Sequence, residues 1–302
     1  MNEMLSICTA SYNRAYKLPG LYESLLKQTN KNFEWIIIDD DSKDNTQELV
    51  RTWKEKNNGF CIKYYCQEHG GKHRAINRAV EIAKGSFIFI VDSDDKIVEN
   101  AVELINGWIT SCKNNPNIGG VAGLKVSVDG KIWGGNAKIS EKYVDATNFE
   151  RRKYNLMGDK AEVYRKSLLN KFRFPEFEGE YFVTEDTCWL NIAAAGYKIR
   201  WFNEPIYIAE YLDDGLSKNG ANDFEGHKKN FKGYCFYIAE CLDKKPFTDK
   251  VIHLKEYNRT CRYLNIGIKE RAHNVNISIF RYAVLYWGGI PIGYLIRKIR
   301  RY

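Results

Sequence analysis

The sequence predicts an α/β protein, a mixed and mostly parallel sheet flanked by helices, with a helical extension at the C-terminal end. Three observations carry that prediction. The first hundred residues alternate short apolar runs with helix-periodic stretches, the pattern of consecutive strand-helix units in a largely parallel sheet. One of those runs, FIFIVDSDD from Phe87 to Asp95, passes from five apolar residues straight into the carboxylates Asp92, Asp94 and Asp95. An uninterrupted apolar run bounded by polar residues is a buried strand, and open α/β sheets bind ligands beyond the carboxyl ends of such strands. Finally, neither G-x-G-x-x-G nor G-x-x-x-x-G-K-[ST] occurs, which argues against a dinucleotide-binding or P-loop version of the same architecture.

The elements follow in order. Leu5 to Thr9 is a short apolar strand, then come Ser11-Tyr12-Asn13-Arg14 and a helical stripe through Leu18, Leu21, Leu25 and Leu26. Trp35 to Ile38 is a second strand, ending in Asp39-Asp40-Asp41-Ser42 and followed by a helix with Leu49, Val50 and Trp53 on one face. Ile62 to Cys66 alternates as a strand does; the loop HGGKH follows, and Ala75, Ile76, Ala79, Val80 and Ala83 mark a helix that Gly85 is expected to end. The acid-ended strand closes the series, so the loops at Tyr12, Asp40, Lys72 and Asp94 are expected on one sheet edge. From about Gly107 to Gly135 short, glycine-containing strands are expected (GGVAGLKV, GKIWGG). Between Arg151 and Phe202 lie GDKAEVYRKSLL, the loop PEFEGEYFVTED and an apolar helix TCWLNIAAAG ended by Gly196.

Composition bounds the function. The 302 residues suffice for one sizeable domain with an appendage, or two domains, and a 44% hydrophobic content excludes disorder. Lys and Arg outnumber Asp and Glu by 46 to 38, a net charge of +8 that suits a phosphorylated partner, a nucleic acid or an anionic membrane surface. Eight cysteines without a C-x-x-C pair disfavour both zinc and a disulfide framework. The first residues lack a basic segment leading into a long apolar run, so no secretory signal is visible and a cytoplasmic catalytic part is expected.

The acids are the chemistry-bearing feature. Hard divalent cations such as Mg²⁺ or Mn²⁺ take oxygen ligands and are held by one or two carboxylates plus substrate phosphates; the plain alternative for DSDD is a solvated turn capping the next helix. Thr184-Glu185-Asp186 has its own plain alternative, acids favoured at a helix N-terminus.

Taken together, the segments resemble the family 2 glycosyltransferases, inverting enzymes of GT-A (Rossmann-like) fold, over about residues 4 to 212. ASYNR matches the family's opening motif, and IIIDDDSKDNT its DDGSxDxT, with Asp41 in place of glycine and Lys43 in place of threonine. HGGKHRAINRAVEIAKGSFIFIVDSDD matches the long segment ending in DxD, and TED the late acidic motif. The resemblance implies a catalytic domain at 1–215 and a mostly helical extension at 216–302. It implies that Tyr12 packs on the uracil of a UDP-sugar donor beside the backbone of Ala10 and Ser11, packing alone being the alternative for Tyr12. Asp40 would accept the base N–H with support from Asp39, and Arg14 and Lys72 would neutralise diphosphate charge. Asp92, Ser93 and Asp94 would form the DxD. Asp94 would bind a Mn²⁺ or Mg²⁺ cofactor most directly, with Asp92 near the ribose or the metal's waters. Asp186 would be the general base and Glu185 would orient the site or the acceptor. The implied partners are a UDP-sugar donor and a lipid-linked saccharide acceptor of bacterial polysaccharide synthesis.

The tail rests on composition. Tyr282 to Ile296 carries no charge and is followed by Arg297, Lys298, Arg300 and Arg301. Broken by Gly288, Gly289 and Pro291, it is too short to span a bilayer; it suits peripheral contact with the inner face of the plasma membrane, or a helix packed on the domain. Tyr211 to Ser217 is expected as a surface turn or an acceptor cover. Two other classes fit parts of the sequence. A nucleic-acid-binding protein matches the charge and aromatics but leaves the acidic strand ends unexplained, and a sugar-phosphate nucleotidyltransferase lacks its glycine-rich basic N-terminal loop.

Overall fold

The structure is a computed structural model that describes residues 4–134, 139–210 and 223–287. The chain divides into two compact units, one made of residues 1–174 and 191–211, the other of 175–190 and 212–302. The expected boundary at 215 and the segment Tyr211 to Ser217 lie outside the described residues.

The first unit is built on a nine-stranded sheet. Strands β1 (Leu5–Ser11), β2 (Phe33–Asp39), β3 (Cys61–Cys66) and β4 (Phe87–Ile90) pair in parallel in the order β3-β2-β1-β4. The sheet continues in mixed sense through β8 (Lys160–Arg165), β6 (Ile118–Val126), β9 (Lys198–Ile208) and β5 (Lys96–Ile97), with β7 (Tyr143–Ala146) beside β9. Helices α1 (Leu18–Leu26), α2 (Thr46–Lys54), α3 (Lys72–Ile82), α4 (Ala101–Cys112) and α5 (Lys166–Lys171) belong to the same unit. Strands β1, β2 and β4 are buried on both faces: Ile7, Trp35, Ile37 and Phe89 on one, Cys8, Ile36, Ile38 and Ile88 on the other. Tyr22 and Trp53 stack at 4.2 Å beside Trp35, filling the layer between sheet and helices.

Three local readings change. Residues 107–112 lie in α4, because Val102, Ile105, Trp108, Ile109 and Cys112 recur with helical spacing and are all buried; the glycine-rich strand starts only at Ile118. Of GKIWGG, the described residues 130–134 make one antiparallel bridge, Val126 to Ile132, rather than a strand. Helix α3 stops at Ile82, before Gly85. That glycine is needed for close approach instead, since a Cβ there would lie 2.6 Å from the Met4 carbonyl oxygen.

The second unit is helical. It contains the start of α6 (Asp186–Ala194), then α7 (Phe224–Lys229), α8 (Phe231–Lys244), α9 (Phe247–Tyr263), α10 (Ile268–Asn274) and a further helix over 279–287. Its core joins Cys235, Ile238, Leu242, Leu254, Tyr257, Cys261, Tyr282 and Leu285. Tyr282 and Leu285 thus pack inside the unit, whereas 288–296 of the same uncharged run lie outside the described residues. Among the described residues no helix is long and apolar enough to cross a membrane. All eight cysteines are free thiols.

Candidate active site

Parallel pairing in register brings the carboxyl ends of β1 to β4 to one edge of the first unit. Ala10 faces Ile38, Ser11 faces Asp39, and Asp39 faces Cys66. Backbone bonds continue the register past the strand ends: Asp40 N–H donates to the Ser11 carbonyl at 2.8 Å, and Gln67 N–H to the Asp39 carbonyl at 2.9 Å. Side chains then lace the loops together. Ser42 Oγ accepts from Asn13 N–H at 2.8 Å, Asn13 Oδ1 from Lys43 N–H at 2.7 Å, and Asp44 Oδ2 from Ala15 N–H at 2.9 Å. Asn13 and Asp41 sit in the left-handed region, with φ of 53° and 72°. The family's glycine position therefore keeps its backbone shape, because a short carboxylate side chain tolerates that region.

Asp39 and Asp40 are both buried and play different parts. Asp39 accepts from Ser42 N–H at 2.8 Å and from the Tyr64 hydroxyl at 2.5 Å, which anchors the loop after β2. Asp40 gathers the loop after β3. Its carboxylate accepts from Gln67 Nε2 (2.7 Å) and from the N–H groups of Gly70 (2.9 Å) and Gly71 (2.7 Å), with His69 Nδ1 2.9 Å away. The His69 ring stacks on Tyr12 with centroids 4.4 Å apart. Tyr12, 46% exposed, thus presents an aromatic face at the edge, and Asp40 meets the Nδ1 of the same histidine that stacks on it. Sequence reasoning noted the HGGKH loop but assigned no role to His69, Gln67 or Tyr64. Their only signal was the position of that loop at a strand's carboxyl end.

The acidic strand end lies on the same edge. Lys72, the first residue of α3, pairs through Nζ with Asp92 Oδ1 at 2.5 Å. Burial opposes ionisation of Asp92, but the charges of Lys72 and then Lys125 prevail and hold its carboxyl below the usual range. Burial and the neighbouring Asp92 charge push Asp94 upward, with Arg14 and Lys72 pulling the other way. Asp95 is buried, which raises its carboxyl to about 6 despite hydrogen bonds from the Tyr207 hydroxyl (2.7 Å) and Glu210 N–H (2.9 Å). Tyr207 Oη also accepts from Asp92 N–H at 3.1 Å, so a residue of β9 fixes the turn of Asp92, Ser93 and Asp94. Tyr207 and Lys125 were not found from sequence, because strand pairing brings them in from more than thirty residues away.

This donor set suits a hard divalent cation. It offers oxygens from Asp92 and Asp94 alone, leaves further positions for a diphosphate, and holds like charges whose repulsion a cation relieves. Among the described residues no three His, Cys, Asp or Glu side chains form a ready-made cage.

Glu185 and Asp186 belong to the second unit, where Asp186 opens α6. Asp186 Oδ2 accepts from the Tyr237 hydroxyl of α8 at 3.2 Å. Burial first, and then the Asp186 charge, raise the Tyr237 hydroxyl well above its usual range, so it remains a donor at neutral pH. The loop leading to Asp186 is clamped to the same helix. Buried Glu180 accepts from the N–H groups of Lys232 (2.7 Å) and Gly233 (2.8 Å) at the start of α8, and Asn230 Oδ1 accepts from those of Tyr181 (2.9 Å) and Phe182 (3.0 Å). A carboxylate on the first amides of a helix is favoured by the exposed N–H groups and by the dipole.

A mixed sheet whose parallel half ends in an aromatic, a buried acid pair and an acidic turn has the arrangement of the GT-A fold. A profile of Glycosyl transferase family 2 matches residues 6–169, and the chain belongs to that family. The chain is 43% identical over 199 residues to the Escherichia coli UDP-Glc:alpha-D-GlcNAc-diphosphoundecaprenol beta-1,3-glucosyltransferase WfaP, covering 66% of this chain and 73% of that one. It is 36% identical over 105 residues to glycosyltransferase GlyG of Streptococcus pneumoniae, and spans only 35% of that protein's length. Among solved structures, it resembles Staphylococcus aureus TarS 1–349 in complex with UDP-GlcNAc (TM-score 0.62, 20% identity, 90% of this chain and 79% of that one). It also resembles the Pyrobaculum calidifontis mannosyltransferase PcManGT in complex with GDP-Man and Mn²⁺ (TM-score 0.56, 17% identity, 100% and 80%). Family membership sets aside the nucleic-acid-binding and nucleotidyltransferase readings.

Proposed function

We propose that the protein is an inverting, divalent-metal-dependent transferase that moves a sugar from a UDP-sugar to a hydroxyl of a lipid-linked saccharide in bacterial cell-surface polysaccharide synthesis, in peripheral contact with the inner face of the plasma membrane. The observation that carries the reading is the shared edge of Tyr12, the Asp39–Asp40 pair and the Lys72–Asp92 pair. The similarity to WfaP, whose name states a UDP-glucose donor and a diphosphoundecaprenol acceptor, supports the substrate classes, and the Mn²⁺ complex of PcManGT supports a metal.

Tyr12 offers the uracil a face, and Asp40 offers the base N–H an acceptor in exchange for one of its loop amides. Asp92 and Asp94 would hold the cation, which when bound neutralises diphosphate charge and favours departure of UDP. Lys72, which pairs with Asp92, would also neutralise diphosphate charge. Asp186 takes the proton of the acceptor hydroxyl as its oxygen attacks the anomeric carbon from the face opposite UDP. The sugar–phosphate C–O bond breaks with its electron pair going to UDP, and the configuration inverts. Tyr237 positions the carboxylate by its hydrogen bond.

Calorimetric titration of UDP with Mn²⁺ and with EDTA, beside GDP and CDP, tests the donor site. Metal-dependent binding selective for UDP is expected, and Asp94→Ala should bring the Mn²⁺ titration close to the EDTA one, a loss of about tenfold or more in affinity. Absence of nucleotide binding under every condition would overturn the assignment.

A further inference from the structure

The helix over 279–287 has two apolar sides. Tyr282 and Leu285 point into the core of the second unit and are 0% and 6% exposed. Phe280, Val284 and Trp287, spaced i, i+4, i+7, share another stripe and are 77%, 50% and 63% exposed, with Ile279 at 49% beside them. Ordinary surface helices carry polar residues there, and a run of large apolar side chains on a fixed exposed face marks an interaction surface. The packing of Tyr282 and Leu285 and a hydrogen bond from Arg281 Nη2 to the Leu242 carbonyl (3.2 Å) hold the helix in that orientation.

We propose that this face docks into the interfacial layer of an anionic lipid bilayer, with the helix lying along the surface. The uncharged run from Tyr282 to Ile296 has fifteen residues and is broken by Gly288, Gly289 and Pro291, short of the roughly 20 that a spanning helix needs, so the apolar stripe suits lying on the membrane and not crossing it. Charge selects lipid over a second copy of the chain. The sequence beyond Trp287 carries no charge until Arg297, and then places Arg297, Lys298, Arg300 and Arg301 within five residues. A second copy brings only more of the same cations, whereas anionic headgroups attract each by about 1 kcal/mol. Phe and Trp at the boundary match the preference of aromatic side chains for the headgroup level. The inference deepens the proposed function, since a lipid-linked saccharide is met at such a surface.

The test is co-sedimentation of the full chain with vesicles of phosphatidylglycerol and phosphatidylcholine, and with phosphatidylcholine alone. Binding to the anionic vesicles that weakens with salt is expected, and Phe280→Ser/Trp287→Ser should lower the partition coefficient about tenfold or more. Circular dichroism checks the fold of the double variant; if it fails to fold, Val284→Glu, which sets a negative charge on the same exposed stripe, is read in its place. No binding by the wild type, or equal binding by wild type and folded variant, overturns the proposal. So does a concentration-dependent dimer that the double variant abolishes, which would assign the face to a second copy. UDP titration and transfer to a water-soluble saccharide acceptor, both unchanged in the variant, report on the catalytic reading separately: vesicle binding without any transfer would sink that reading and leave this one standing.

Discussion

Asp41 shows how a departure from the family's motif is absorbed at a single residue. At φ 72° it bears the cost that left-handed backbone imposes on a side chain, roughly 1–2 kcal/mol for most residues and less for Asp, and recovers part of it through an exposed pair with Lys43 at 2.6 Å. Asp41→Gly should therefore change stability by no more than about 1 kcal/mol, while Asp41→Val, β-branched at positive φ, should cost about 2 kcal/mol or more, both read from urea unfolding. Asp186 makes a different kind of claim. Asn in its place keeps an acceptor for Tyr237 but cannot take a proton, so Asp186→Asn should lower transfer by about 10²- to 10⁴-fold and leave the UDP titration unchanged. Full transfer by that variant would remove Asp186 as the base. The DDD and DSDD acids were legible in the sequence because apolar runs led into them, and TED because it stands just before an apolar helix. Their supports, His69, Lys125, Tyr207 and Tyr237, were not, because each arrives through strand pairing or helix packing that no local pattern encodes.

The loop from Gln67 to Gly71 is an element with no regular structure of its own, held by one carboxylate. Asp40 accepts three hydrogen bonds from it, and Gly71, at φ 91°, turns the chain into α3 so that Lys72 meets Asp92. Asp40→Ala leaves the Gly70 and Gly71 amides without their acceptor, which should cost about 2 kcal/mol of stability and free the loop. Hydrogen exchange should then rise across 67–73 while β1 and β2 stay protected, and UDP affinity should fall with it; an unchanged exchange pattern would show that Asp40 does not order this loop. Elements of this half were readable in advance, since parallel strands buried on both faces are apolar without interruption and their helices carry one stripe. The region from Gly107 onward was misread because α4 is rich in small and β-branched residues and carries an internal glycine. Its helical period is visible only once Trp108 and Cys112 are counted with Val102 and Ile105.

At the scale of the whole molecule, each compact unit carries its own acid-sensitive buried group, and the two respond in different pH windows. In the second unit His253 of α9 faces Lys245, whose Nζ donates to its Nε2 at 2.8 Å, the edge of the Tyr237 ring, and Glu256 at 3.7 Å, with Asp249 nearby. Burial first, and then the Lys245 charge, push His253 down to about 4, and the Asp249 charge offsets this only in part. A base with a depressed folded-state value contributes stability that is complete above the unfolded value near 6.5 and is lost as the pH falls towards about 4, a loss of about 3 kcal/mol in all. In the first unit Glu34 of β2 is buried. Burial alone would raise it, but hydrogen bonds from Lys63 (2.6 Å), the Ser6 hydroxyl (2.7 Å) and Lys84 N–H (2.5 Å) hold it below the usual carboxylate range. Its contribution is complete above the unfolded value of about 4.3 and is lost only below it. Acid should therefore loosen α8 and α9 between pH 6.5 and 4 while β1, β2 and β3 hold until the pH falls further. Hydrogen exchange resolved by peptide measures both units in one titration, and His253→Gln, which keeps an acceptor for Lys245 but does not titrate, should shrink the upper window to the part set by His227, which burial also lowers, and leave the lower one in place. Simultaneous loss of protection in both units, unaltered by His253→Gln, would show that this histidine does not set the acid response of the helical unit.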